Sequence, residues 1–141
     1  MTFAPLFVDA DVMIDLFTKR NPFHTPAEEF FNQVEQKQIR SFTSPIAIAN
    51  AHYIVRKTLS DSVARQALQK LSLIIKVLPV TQKEIDLALQ SSLPDFEDAI
   101  QYFTARENGL RCIVTRNTRD YPARDLSVCT PEEWLAQRKF S

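Results

Sequence analysis

Short apolar runs alternate with longer amphipathic stretches along the chain. Leu6-Phe7-Val8, Ile39 to Ser44, Val77 to Val80, Cys112 to Thr115 and Ser127-Val128-Cys129 are each a few residues long and bounded by polar residues, which predicts buried strands. Between them the apolar positions recur at helical spacing. They are Val12, Met13, Leu16 and Phe17; Ala27, Phe30, Phe31 and Val34; Ile46, Ala49, Tyr53 and Ile54; Val63, Ala64, Ala67, Leu68 and Leu71; Ile85, Ala88 and Leu89; and Ala99, Ile100 and Phe103. Helix starts are marked by Thr25-Pro26-Ala27-Glu28, Ser44-Pro45, Ser60, Thr81 with Glu84, and Thr130-Pro131-Glu132-Glu133 before Trp134. Asp95 is expected to cap the helix of Ala99 and Phe103, with Asp98 in its first turn and Gly109 just past its end. Strands that alternate with helices, each strand apolar throughout, predict an α/β fold: three layers, α/β/α, around a short and mostly parallel sheet, with residues 1–141 as a single domain.

Composition narrows this picture. The chain has 141 residues, enough for one sizeable core, with 17 Lys+Arg against 17 Asp+Glu and so no net charge. That balance argues against a strongly basic nucleic-acid module and leaves room for a local basic patch. Cys112 and Cys129 lie in apolar runs without Cys-x-x-Cys spacing, and are expected to be buried free thiols in a reducing compartment. No apolar run reaches the ~18 residues of a membrane span and no signal peptide is evident, so a cytoplasmic protein without membrane contact is expected.

In parallel sheets, ligands bind beyond the carboxyl ends of the strands. Asp9 and Asp120 follow two strand ends, and Asp98 opens a helix. Grouped carboxylates repel one another unless a cation is shared, and Mg²⁺ or Mn²⁺ suits oxygen ligands completed by water and phosphate. The implied chemistry is phosphodiester hydrolysis. Arg116 and Arg119 flank Asp120 and are candidates to hold a phosphodiester backbone; Arg111 and Arg124 crowd the same segment. His24 and His52 have no partner pattern for a metal or a catalytic triad and are expected to be structural or exposed.

Phe-Val-Asp-Ala-Asp-Val-Met-Ile-Asp (residues 7–15), Asp-Phe-Glu-Asp-Ala-Ile-Gln (residues 95–101) and Ile-Val-Thr-Arg-Asn-Thr-Arg-Asp-Tyr (residues 113–121) resemble, in order and spacing, the successive motifs of the PIN-domain family. The resemblance implies a PIN-like fold and a Mg²⁺- or Mn²⁺-dependent endoribonuclease, with toxins of toxin–antitoxin pairs among its relatives. It implies Asp9, Asp98 and Asp120 as metal ligands. Thr115 and Asn117 match the turn before Asp120, and Asp11 and Asp95 are candidates for an outer layer of the site. Many members carry a hydroxyl residue at the position of Ala10 and a glutamate at that of Asn50. Asn50 retains a carbonyl ligand and no charge, and is expected on a core-facing helix position with Ile46, Tyr53 and Ile54. The family further implies an RNA substrate, a cognate antitoxin and a homodimer as partners. Two other readings remain: a lapsed active site left as an RNA- or protein-binding module, and a phosphatase in which Asp9 of Val8-Asp9-Ala10-Asp11 is the nucleophile.

Overall fold

The computed structural model describes residues 3–122 and 125–139; Arg124 lies outside them. Five strands, β1 (Leu6–Val8), β2 (Ser41–Thr43), β3 (Ile75–Val77), β4 (Cys112–Val114) and β5 (Ser127–Cys129), form one sheet in the order β3-β2-β1-β4-β5. Every pairing is parallel. The helices are α1 (Ala10–Thr18), α2 (His24–Gln36), α3 (Pro45–Thr58), α4 (Asp61–Leu71), α5 (Gln82–Gln90), α6 (Phe96–Glu107) and α7 (Pro131–Lys139).

Alternation along the central strand explains the layers. Leu6 and Val8 pack on one face with α1, α2 and α7, where Trp134 is fully buried edge-on to Phe30 at 5.1 Å. Phe7 points to the other face, onto Ala99, Ile100 and Phe103 of α6 and Ala88 of α5. A strand buried on both sides must be apolar at every position, as all three residues of β1 are.

Most helix ends follow the local sequence. Ser44 accepts a hydrogen bond from the Ala47 N–H at 3.1 Å, and Ser60 one from Val63. Thr81 and Glu84 form a reciprocal capping box, and Thr130 and Glu133 do the same ahead of α7. Gly109 takes φ +76° after α6, and the Leu110 N–H reaches back to the Ala105 carbonyl at 3.0 Å, the closure that a left-handed residue permits.

Three expectations are corrected. Helix α2 begins at His24, so Thr25 lies inside its first turn and caps nothing. Strand β3 covers Ile75–Val77 rather than Val77 to Val80, because pairing with β2 sets its register at Ile75 opposite Ser41. The buried face of α3 is Ala47, Ala51 and Val55, while Asn50, Tyr53 and Ile54 are exposed. The small alanines let α1 approach closely, and that packing decided the face over the larger apolar residues.

Candidate functional site

The chain runs outward from β1 to β2 and β3, then returns to place β4 on the other side of β1. The β1–β4 boundary is therefore the point where strand order reverses, and a crevice opens there beyond the strand ends. Asp9 leaves β1 and Thr115 leaves β4 at that crevice. The Asp9 N–H donates to the Val114 carbonyl at 3.0 Å, which pins the two exits together.

Asp9 caps α1, accepting from the Ala10 N–H at 2.7 Å, and is only 8% exposed. It also accepts from the Thr115 hydroxyl at 3.0 Å and the Tyr121 hydroxyl at 2.8 Å. Tyr121 lies 3.4 Å from a carboxylate oxygen of Asp98, so one phenol bridges the two acids. Asp11 turns back to the same place: its carboxylate takes the Arg116 N–H at 3.1 Å and the Asn117 side-chain amide at 3.3 Å, and lies 3.1 Å from the Thr115 hydroxyl. Three carboxylates are thus linked through two hydroxyls, each of which carries a single proton.

The electrostatics follow. Burial pushes the Asp98 carboxyl up to about 7, and the charges of Asp9, Asp95 and Asp120 push it in the same direction. Asp11 is likewise raised to about 7, first by burial and then by the charge of Asp9. Asp9 is raised by burial against the hydrogen bonds from Tyr121, Ala10 and Thr115. Burial beside these acids also drives the Tyr121 phenol far above its ordinary value, so it stays a neutral donor. Asp120 is exposed on a 3₁₀ turn at Thr118–Asp120, and its charge acts on both Asp9 and Asp98.

The remaining candidates divide. Asp95 caps α6 by accepting the Asp98 N–H at 2.9 Å. Asn50 donates its side-chain amide to Glu97 at 3.0 Å, joining exposed positions on α3 and α6. Arg116 is tied down: its Nε lies 2.8 Å from Asp15 and its guanidinium sits 4.7 Å from the Phe23 ring centre. Arg119 is exposed beside Asp120. Tyr121 was not anticipated from the sequence; its only signal there is a hydroxyl-bearing aromatic directly after Asp120.

Among the described residues, no group of three His, Cys, Asp or Glu side chains is arranged to hold a metal ion. Mg²⁺ does not require such a cage, since it commonly takes one or two carboxylates and fills the rest of its shell with water and phosphate. The donors here are hard oxygens, and the acids raise one another's pKa by charge as well as by burial. This donor set fits a hard divalent cation. The thiols Cys112 and Cys129, free and 3.9 Å apart on β4 and β5, belong to the core.

A PIN-domain family model matches residues 5–119. A curated relative, Ribonuclease VapC1 of Aquifex aeolicus, is 24% identical over 134 residues, covering 92% of each chain. A chain of a toxin–antitoxin complex from Klebsiella pneumoniae superposes with a TM-score of 0.67 at 23% identity, over 89% of this chain and 97% of that one. The sarcin–ricin loop cleaving toxin VapC20 of Mycobacterium tuberculosis gives 0.64 at 18% identity, over 77% and 86%.

Proposed function

Because the chain belongs to the PIN-domain family, we propose that its crevice is the active site of a Mg²⁺- or Mn²⁺-dependent endoribonuclease that acts as the toxin of a toxin–antitoxin pair. The observation that carries this reading is the Asp9–Tyr121–Asp98 bridge, with Asp11 and Asp120 adding negative charge around it. The ribonuclease and toxin roles named for the relatives support the substrate and the setting.

Asp9, Asp98 and the exposed Asp120 are the residues that would hold the ion. A bound divalent ion supplies an activated water and neutralises charge building on the phosphorus. Thr115 and the Arg116 N–H hold the carboxylates of Asp9 and Asp11 in place. Tyr121 holds Asp9 and Asp98 in mutual register. Arg119 is placed to meet an RNA phosphate.

The test is cleavage of a fluorophore-quencher single-stranded RNA with Mn²⁺. Wild type cuts it, chelation stops it, and Asp98→Asn lowers the rate by about a hundredfold or more while circular dichroism is unchanged. Full activity of a folded Asp98→Asn protein overturns the assignment. Wild type that binds RNA and never cuts it establishes the lapsed-site reading instead.

A further inference from the structure

Beside the site, the Asn50 side-chain amide donates to Glu97 Oε2 at 3.0 Å and so joins α3 to α6. Helix α3 starts directly after β2, and β2 is tied to β1 by the Thr43 hydroxyl, which donates at 2.8 Å to the carbonyl of Val8, the residue before Asp9. From there Ser44 meets Gln101 and, further along α3, Asn50 meets Glu97. The two links pair rising numbers on α3 with falling numbers on α6, so the helices run antiparallel. The second link therefore lies beyond the strand ends, at the first turn of α6. Glu97 is the chain neighbour of Asp98 there, and Asn50 approaches it from α3.

This bond adds little to stability. Both side chains are exposed. Exposed ion pairs return about 0.2–1 kcal/mol, and a neutral amide has less to offer, whereas ordering a glutamate costs up to about 2 kcal/mol of rotamer freedom. The chemistry of the contact is selective in another way. Glu107 is met by Lys83 and Arg106, and Asp61 by Arg65, cations that offset the carboxylate. Glu97 is met by an amide, which fixes the direction of the carboxylate and leaves its charge whole. Only Oε2 is engaged; Oε1 has no hydrogen-bond partner among the described residues. A full charge aimed beside Asp98 suits a hard cation. Mg²⁺ keeps much of its water shell, and carboxylates that accept from groups around a metal orient them and tighten its binding.

We propose that Glu97 is a further carboxylate of the cation site, its free oxygen accepting from the water shell of the ion, and that Asn50 is the positioning residue that aims it. This rests on the metal-dependent nuclease reading and adds to Asp9, Asp98 and Asp120 a charge held from α3.

The experiment measures Mn²⁺ binding to the full chain without RNA, by loss of the free-ion electron paramagnetic resonance signal. Salt is held at about 0.15 M, where exposed charges more than about 8 Å apart are largely screened. Glu97→Gln is expected to raise the Kd about tenfold or more, with circular dichroism and the urea midpoint unchanged. Asn50→Ala raises it by a smaller factor. In the Glu97→Gln background Asn50→Ala has no further effect, since it acts only through that carboxylate. A wild-type Kd in folded Glu97→Gln, with binding lost in Asp98→Asn, overturns the proposal and leaves the cation site standing. Equal losses for Asn50→Ala in both backgrounds overturn the role given to Asn50. Wild type that binds no Mn²⁺, or Asp98→Asn that binds it as wild type does, removes the site itself and the proposal with it.

Discussion

Tyr121 shows how much one side chain decides at this site. Its hydroxyl is the link between Asp9, at the end of β1, and Asp98, at the start of α6. Replacing it with Phe removes a donor to a buried carboxylate, and is expected to cost about 1.5–3 kcal/mol in urea unfolding and to weaken Mn²⁺ binding measured by calorimetry. The acids themselves give a pH signature. Asp98 and Asp11 sit near 7 in the folded chain and near 3.8 unfolded. Between those values the folded state binds more protons, so stability without metal falls as pH rises from about 4 to about 7, then levels off. Asp98→Asn removes its share of that penalty, and its Tm at pH 8 in chelator is expected to exceed wild type by a few degrees. A Tm that climbs with pH over this interval contradicts the arrangement of buried acids.

Among the elements, α3 and α6 meet along a seam that the sequence did not announce. Ser44, the cap of α3, also bonds Gln101 of α6, and six residues on Asn50 bonds Glu97. Ser44→Ala loses a cap worth about 1 kcal/mol together with the Gln101 contact, and is expected to lower the urea midpoint and reduce cleavage through a displaced Asp98. The other end of α6 is governed by Gly109. A Cβ there meets nothing within 4 Å, so the cost of Gly109→Ala is that of φ +76° alone, about 1–2 kcal/mol, with RNA cleavage unaffected. The contrast separates a fault at the site end of the helix from one at its far end.

For the whole molecule, the strand order determines what the residues can do. Reversal at β1–β4 gathers acids from residues 9–11, 98 and 120 at one edge of the sheet. A ligand that binds only the folded state stabilises it by mass action, about 2.7 kcal/mol at a hundred times its Kd. Mn²⁺ is therefore expected to raise Tm by several degrees, chelator to reverse the rise, and Asp98→Asn to show little of it. The zero net charge fits a local rather than a global field, with the charge concentrated around the crevice.

The alternation of elements, most strand positions and most caps were legible in the sequence because they depend on neighbours within a few residues: Ser44, Thr81, Asp95 and Gly109 each act on their own helix, while the starts of β3 and of α2 were not. The three motifs named Asp9, Asp98 and Asp120, of which Tyr121 joins the first two, and the parallel sheet followed from short strands that alternate with helices. What lay beyond sequence reasoning was any property set by distance across the fold. The exposed face of α3 was fixed by alanines packing on α1. Arg116 was claimed by Asp15, 101 residues away, instead of extending to solvent. Tyr121 became a bridge only when β4 came to lie beside β1. Local free energy chooses elements from short-range preferences, whereas burial and electrostatics depend on which residues the chain topology makes neighbours, and this was decided in the tertiary structure.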